Sequence, residues 1–231
     1  MSDKRIGRFT SSDIFNLVKK DKTGKGFGKP ALSYIRDKQF EKKLGRYIDN
    51  ETNNKYCDWG KFVEKIAFDT LSIAYALCSD QTIVHPTIEN WAGTPDFMKN
   101  DGTVGDIKCP FTLRSFCQLY EATDKESLID NHKDGEKYYW QLVSNAILTN
   151  TNKAELVVYC PLLLEIEKIK EEAEFSGIKW LANASNSELP WVDYNSDYRN
   201  RKILKLEIPD EDIEFLTNCV ISANEFMNWS E

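Results

Sequence analysis

The chain has 231 residues, with 30 Lys and Arg against 37 Asp and Glu, and a net charge of −7. This length is sufficient for one large α/β domain with a sizeable core, and no apolar run reaches the roughly 18 residues of a membrane span. The six cysteines form no Cys-x-x-Cys pair and there are two histidines, so we expect free thiols and no zinc, iron–sulfur or histidine metal centre. We expect a soluble cytoplasmic protein, since the N-terminus shows no apolar signal core.

The charge is distributed unevenly along the chain. Residues 1–46 contain 13 Lys and Arg against 5 Asp and Glu, whereas the remainder contains 17 against 32. A basic N-terminal lobe beside an acidic centre suits a phosphate polymer as a partner. The alternative is two solvated faces of opposite sign.

The first third of the chain is predicted to be mainly helical. Ser and Thr residues before an apolar stripe predict a capped helix over 10–20. A loop rich in Gly and Lys follows at 22–29; it could contact a phosphate backbone, although it lacks the Gly-Lys-Ser/Thr ending of a P-loop. Further helices are expected over 31–45 and 61–77.

Glu64 is the unusual residue of the helix predicted over 61–77. It lies among Val63, Ala67 and Phe68, and a buried carboxylate without a partner is costly. Glu64 must therefore point to solvent or face a metal ion. The periodicity alone favours solvent.

The rest of the chain is predicted to form a mixed sheet with helices on both faces. Its elements are a strand over 82–86, a turn at Trp91, a polar mobile loop over 123–136, a core helix over 137–149, a buried strand over 154–160, an edge strand over 203–208 and a final helix that opens at 209–212. The segment 162–201 is acidic and then loop-like, and its pattern gives no clear element.

An acidic hairpin is the most informative stretch of the sequence. Asp106 and Lys108 are two residues apart on a predicted strand, so their side chains point to the same face. The turn signal Asn100-Asp101-Gly102 predicts a hairpin that returns the chain to Asp96. Two carboxylates and an ammonium group would then converge on one small volume.

These groups are suited to metal-assisted phosphodiester hydrolysis. Mg²⁺ binds through one or two carboxylates and completes its octahedron with waters and phosphate oxygens. A neighbouring lysine can hold the attacking water or offset the charge on a phosphate. The alternative is a surface hairpin with an ordinary Asp/Lys pair.

The hairpin and its flanking segments resemble a known family. Asp96 with Asp106-Ile107-Lys108 resembles the PD-(D/E)xK nuclease core, and Lys108-Cys109-Pro110-Phe111-Thr112 resembles its lambda exonuclease and viral recombinase (YqaJ-like) branch. The helical glutamate and glutamine motifs of that branch are similar to Trp59-Gly60-Lys61 with Glu64 and to Tyr139-Trp140-Gln141. The similarity extends from Arg5 to about Tyr159.

The resemblance implies a mixed central β-sheet flanked by helices, in a single nuclease domain spanning 1–231. Within it, 1–46 would be the basic lobe, 59–161 the catalytic core and 162–231 a C-terminal elaboration. Nothing beyond Pro161 matches the family residue by residue.

The resemblance also assigns roles to individual residues. Asp96 and Asp106 would be metal ligands, with the carbonyl of Ile107 as a possible backbone ligand and Lys108 orienting or activating the water. Glu64 would complete the metal shell, which reverses the preference for solvent. Gln141 would contact the lysine or the substrate strand. Asp106 departs from the glutamate that is common in this branch, and its shorter arm would shift the metal.

The N-terminal segment resembles the part of the family that binds a 5′-terminal phosphate. Arg5 would pair with the phosphate, and Ser12 would donate a hydrogen bond from a helix N-terminus. The alternative is a helix cap and an unrelated arginine.

The function implied is a Mg²⁺-dependent 5′→3′ exonuclease, with Mn²⁺ able to substitute, acting on double-stranded DNA ends to expose single strands for phage-type recombination. A trimeric ring, a single-strand annealing protein as partner, and a phage or prophage origin in a bacterial host are further implications. Alternatives are an endonuclease of restriction or repair type, a CRISPR-adaptation nuclease, which the absence of clustered cysteines disfavours, and a non-catalytic subunit that binds DNA ends.

Overall fold

The computed structural model describes residues 3–48, 54–78 and 80–229. Its helices are α1 (Lys29–Leu44), α2 (Lys55–Asp69), α3 (Leu113–Tyr120), α4 (Lys125–Asn131), α5 (Gly135–Leu148), α6 (Ile166–Phe175), α7 (Lys179–Ala182) and α8 (Asp210–Trp229). Its strands are β1 (Phe9–Thr10), β2 (Tyr75–Leu77), β3 (Ile83–Val84), β4 (Trp91–Gly93), β5 (Phe97–Lys99), β6 (Val104–Lys108), β7 (Lys153–Tyr159) and β8 (Arg201–Glu207). Within these ranges, no helix combines the length and the apolar character that crossing a membrane requires.

The central sheet has five strands in the order β2-β5-β6-β7-β8. Strands β6 and β7 are parallel, and the other neighbouring pairs are antiparallel. The predicted mixed sheet is therefore confirmed. The predicted edge strand near 203–208 is β8, which pairs with β7 along its full length, so the C-terminal part of the chain contributes to the central sheet.

The predicted acidic hairpin is formed by β5 and β6. Phe97 pairs with Gly105, and the turn closes at Gly102, whose φ of +83° is in the left-handed region that glycine tolerates best. This register brings Asp96, directly before β5, back beside β6, as the turn signal predicts.

Helices cover both faces of the sheet, so the side chains of β7 are buried alternately on one face and on the other. Leu156 and Val158 pack into the core cluster that includes α5 and α8 side chains, whereas Val157 and Tyr159 pack into the cluster that includes α2 and α6 side chains. A strand buried on both sides reads as one continuous apolar run. The predictions of this buried strand and of the core helix that is α5 are confirmed.

A small three-stranded sheet, β1-β4-β3, positions the N-terminal segment. Trp91, predicted to be in a turn, instead lies in β4, where it is fully buried and its indole N–H donates to Ser144 Oγ at 2.9 Å. Ser11, which follows β1, also hydrogen-bonds Ser144 Oγ at 2.9 Å. The N-terminal segment is thereby fixed against α5.

The helix predicted over 10–20 is shorter and of another type. The structure has a 3₁₀ helix over Ile14–Val18, with Asp13 at the N-cap position and no side-chain capping bond. The apolar residues Ile14, Leu17 and Val18 of this segment are buried. Thr10 instead belongs to β1, whose pairing with β4 satisfies its backbone, and residues 11–13 form a turn.

The helix predicted over 61–77 is displaced toward the N-terminus. Helix α2 already begins at Lys55, with Asn54 accepting hydrogen bonds from two backbone N–H groups, and ends at Asp69. Ile73, assigned to the apolar stripe, is fully exposed. Residues 75–77 form β2 because β5 offers them backbone partners.

The prediction of a mobile loop over 123–136 is wrong. The segment contains α4, which begins with a capping box: Ser127 N–H donates to Asp124 Oδ1 at 2.8 Å, and Asp124 N–H donates to Ser127 Oγ at 3.1 Å. Polar composition suggested a loop, but here the polar side chains satisfy the helix terminus. Helix α3 was not predicted, nor were α6 and α7 in the segment 162–201. The predicted acidic start of α8 is confirmed.

Candidate active site

Asp106 and Lys108 form an ion pair near the end of β6. The Lys108 ammonium lies 2.9 Å from Asp106 Oδ2, so the two side chains share one face as predicted. Asp106 is fully buried, and the Lys108 side chain retains 21% of its exposure. A buried carboxyl group is therefore paired with a lysine that still reaches the surface.

Asp96 is fixed beside this pair by the backbone of β6. Its Oδ2 accepts a hydrogen bond from Ile107 N–H at 2.6 Å, and its own N–H donates to Gly105 C=O at 3.0 Å. Burial raises the pKa of Asp96 well above its usual range, and the charge of Asp106 raises it further. An anion at this position is unfavourable unless a cation is nearby.

Glu64 reaches the same region from α2. It is partly buried and lines the cleft described below, so it does not point to bulk solvent as periodicity alone suggested. Burial raises the pKa of Glu64 to about 6; Lys108 opposes this shift and Asp106 adds to it.

Lys108 remains an ammonium group at neutral pH. Burial lowers the pKa of Lys108, but the carboxylates of Asp106 and Asp96 outweigh burial, and the net direction is upward. The ammonium also lies 5.2 Å from the centre of the Tyr138 ring, which attracts a cation. Lys108 can therefore donate hydrogen bonds and cannot readily accept a proton.

Gln141 and Tyr138 face this centre from α5. Both line the cleft, and Gln141 is mostly buried. The sequence pattern had identified Gln141 and missed Tyr138. The helical spacing could have identified Tyr138, because it lies three residues before Gln141 and such residues share a helix face.

The cleft has a volume of about 550 Å³ and two kinds of lining. One part, here called the aromatic side, contains Tyr56 and Phe111. Another, called the basic side, contains Ser12, Lys133 and Lys137. Such a lining offers both ring faces and cations to a ligand.

Of the two residues expected to bind a 5′-phosphate, one lines the cleft. Ser12 lines the cleft, but it precedes a five-residue 3₁₀ helix, too short for the expected anion site at a helix N-terminus. Arg5 is not among the described residues that line the cleft; its guanidinium pairs with Asp3 at 3.1 Å, and Asp3 also accepts from Tyr47 at 2.7 Å.

Comparison with solved structures reveals two exonucleases with similar folds. An alkaline exonuclease (LHK-Exo) from Laribacter hongkongensis has a TM-score of 0.65 at 15% identity, covering 98% of this chain and 90% of that one. The same enzyme in complex with dAMP gives 0.61 at 16% identity, with coverage of 98% and 90%. A phage related exonuclease from Haemophilus somnus 129PT gives 0.62 at 16% identity, covering 96% and 94%.

The chain shares its overall fold with these exonucleases. The fold class predicted from the resemblance is thereby confirmed. No protein-family model matches the sequence, and no curated protein matches it significantly.

In this fold, the acidic residues fit a small hard cation. Asp106 Oδ1 is buried and has no hydrogen-bond partner among the described residues, although such atoms are normally satisfied. Nowhere in the described ranges do three or more His, Cys, Asp or Glu side chains converge closely enough to hold a metal by themselves. A site of two carboxylates, completed by a backbone carbonyl and waters, is the kind that Mg²⁺ uses.

Proposed function

We propose that this protein is a Mg²⁺-dependent exonuclease that degrades double-stranded DNA from its ends in the 5′→3′ direction. The observation that carries the proposal is the convergence of Asp96, Asp106 and Lys108 beside a cleft. Support comes from the fold, which is shared with two exonucleases, one of them solved with dAMP.

In this proposal the acids hold Mg²⁺ and the other residues position the reactants. Asp96, Asp106 and the carbonyl of Ile107 would be ligands, and Glu64 would have to move toward them to complete the shell. Bound Mg²⁺ would polarise the scissile phosphate and lower the pKa of the attacking water. Mn²⁺ would substitute for it.

Lys108 would orient the water and offset charge on the phosphate. Its ammonium group lies 2.9 Å from Asp106 Oδ2, where it can donate hydrogen bonds to the water or to developing negative charge on the phosphate. Gln141 would contact Lys108 or the substrate strand from α5.

The hydrolysis test uses a linear duplex labelled at either end, beside a covalently closed circle of the same sequence. With Mg²⁺, we expect wild type to release 5′-terminal nucleotides from the linear duplex and to leave the circle intact, and chelator to stop the release. Asp106→Asn should lower the rate by roughly 10²-fold or more.

Asp101→Asn is the matched control for this variant. Asp101 lies in the turn of the same hairpin, is exposed, and accepts a hydrogen bond from Thr103 N–H that asparagine can also accept. Equal cleavage of circles would favour an endonuclease. End binding without hydrolysis would favour a non-catalytic subunit, and activity in excess chelator would refute the metal requirement.

The 5′-phosphate role of Ser12 and Arg5 is tested separately. Ser12 already lines the cleft, whereas Arg5 must exchange Asp3 for the phosphate. Arg5→Ala should slow digestion of 5′-phosphorylated duplexes far more than of 5′-hydroxyl duplexes, because a charge-assisted contact requires its charged partner. Equal slowing of both substrates would remove Arg5 from the phosphate site.

The resemblance also supports assembly into a trimeric ring around DNA and cooperation with a single-strand annealing protein. Sedimentation of the purified protein, alone and with linear duplex, tests the trimer. A monomer at micromolar concentration in both samples would contradict it.

A further inference from the structure

Phe111 occupies a fixed position on the aromatic side of the cleft, three residues after Lys108. Its ring centre lies 5.0 Å from that of Tyr56, 5.8 Å from that of Trp59 and 6.0 Å from that of Trp180, each in an edge-to-face arrangement. Such contacts hold rings in defined orientations.

The rings behind Phe111 are themselves anchored. Trp59 is fully buried, and the Trp180 indole N–H donates to Asp58 Oδ2 at 3.0 Å. Phe111 is therefore backed by core side chains and presents a rigid surface. A ligand that packs against it loses little free energy to ordering the protein.

Tyr56 is the exposed member of this group. It lines the cleft and retains 57% of its exposure, so the core uses little of its ring. The Lys55 ammonium lies 5.8 Å from the Tyr56 ring centre and 5.5 Å from that of Phe111. Aromatic rings beside a lysine are the combination with which proteins bind single-stranded nucleic acid.

The cleft lining contains cations as well as rings, although Glu64 and Asp134 also line it and Lys137 pairs with Asp13 at 3.5 Å. Lys133 and Lys137 lie on its basic side, where they can attract phosphates, and the rings of Tyr56 and Phe111 can accept the faces of bases. A base inside a duplex is stacked on both faces, so it can stack on these rings only after it has left its neighbours.

We propose that Tyr56 and Phe111 form a stacking site for an unpaired nucleobase of the strand that enters the cleft. This inference rests on the proposed function for the identity of the strand, and it specifies how the cleft selects it. The site binds bases by their faces and is therefore tolerant of sequence.

Binding of a single-stranded oligonucleotide that carries 2-aminopurine tests the site without hydrolysis. In chelator, wild type should quench the fluorescence as the base stacks. Tyr56→Ala should remove the quenching and weaken binding roughly tenfold, the range that loss of one stacked base produces. Tyr56→Phe should retain both because it keeps the ring, and Tyr194→Ala should also retain both, since Tyr194 is 70% exposed and outside the described cleft lining.

Replacing the 2-aminopurine nucleotide with an abasic one completes a double-mutant cycle. If the base stacks on Tyr56, the abasic oligonucleotide should bind wild type as weakly as the normal one binds Tyr56→Ala, and combining both changes should cost little more. Additive losses, or unchanged quenching in Tyr56→Ala, would overturn the stacking site.

The two proposals fail in different ways. Hydrolysis of duplex ends together with an unaffected Tyr56→Ala variant would leave the nuclease standing and remove the stacking site. Base-dependent quenching without metal-dependent hydrolysis would keep the stacking site and remove the proposed nuclease activity.

Discussion

Asp96 is held by the backbone in a position where its own charge is unfavourable. The N–H of Ile107 fixes its carboxylate beside the buried Asp106, and burial together with that neighbour raises the pKa of Asp96. A metal-binding role explains this arrangement, because a cation stabilises two adjacent carboxylates. The residue would then be placed for metal binding at a cost to the stability of the metal-free protein.

Asp96→Asn should therefore change stability and activity in opposite directions. The amide oxygen can still accept from Ile107 N–H, and removal of the charge relieves repulsion with Asp106. We expect a higher melting temperature than wild type in chelator and a rate of DNA hydrolysis lower by roughly 10²-fold or more. Asp101→Asn is again the control, and a melting temperature below wild type for Asp96→Asn would contradict the repulsion.

Glu64 gives a pH dependence with a defined sign. Its pKa in the folded protein is about 6, raised from 4.5, so between these values the folded state binds more protons than the unfolded state. Its contribution to stability is therefore present below about pH 4.5 and is lost as the pH rises through 6.

Glu64→Gln should remove this part of the pH dependence. In chelator, the melting temperature of the variant should fall less than that of wild type between pH 4.5 and pH 6.5, a range chosen around the two pKa values. Identical slopes for the two proteins would show that Glu64 is not desolvated in the folded state.

At the scale of elements, the β5–β6 hairpin depends on Gly105. A Cβ at this position would lie 2.4 Å from the carbonyl oxygen of Glu155 in β7 and 2.3 Å from the ring of Phe97. The neighbour on one side is backbone, which cannot move without disturbing the parallel pairing of β6 with β7.

Gly105→Ala should lower the free energy of unfolding by about 1–3 kcal/mol, the usual cost of overpacking. Gly60→Ala is a control of opposite sign: Gly60 lies inside α2 with open space at its Cβ position, and alanine in a helix is favoured by about 0.5–1 kcal/mol. Urea unfolding of both variants measures the difference. An unchanged free energy of unfolding in Gly105→Ala would mean that the strands tolerate a wider spacing.

The elements that sequence predicts well are those with a strong local signal. The hairpin has a turn sequence, and α5 has a dense apolar run. Both elements are confirmed. The end of α2 was misplaced because residues 71–77 are as apolar as the helix before them, and only pairing with β5 decides that Tyr75–Leu77 is a strand.

The same limit applies to the candidate site. Asp96, Asp106 and Lys108 were identified because the hairpin brings them together over a short stretch of chain. Tyr56 and Lys133 are contributed by distant helices or connections, and only the packing of α2 and α5 on the sheet places them in one cleft. Periodicity describes the face of a helix, but it does not say which partner that face meets.

At the scale of the molecule, the basic N-terminal segment should attract DNA without reading its sequence. Lys22 and Lys25 are exposed on the loop between the 3₁₀ helix and α1. Replacing both with Ala should weaken DNA binding and reduce the slope of log affinity against log salt by up to about 2, because each phosphate contact contributes about 0.9.

The rate of hydrolysis at saturating DNA should be unchanged in this double variant. Lys168→Ala with Lys179→Ala is the matched control, since both lysines are exposed on the acidic C-terminal part of the chain. Titration of a labelled duplex at several salt concentrations measures the slopes. Equal slopes in wild type and the Lys22/Lys25 variant would place the DNA elsewhere.

The pairing of β6 with β7 over five consecutive residues also limits which insertions and deletions the gene can accept. One extra codon within 104–108 would turn either Asp106 or Lys108 to the opposite face of the sheet, because strand side chains alternate. One extra codon in the turn at 100–102 would lengthen an exposed connection and leave both side chains in place. Length variation in this hairpin should therefore be confined to its tip, a few residues from the chemistry.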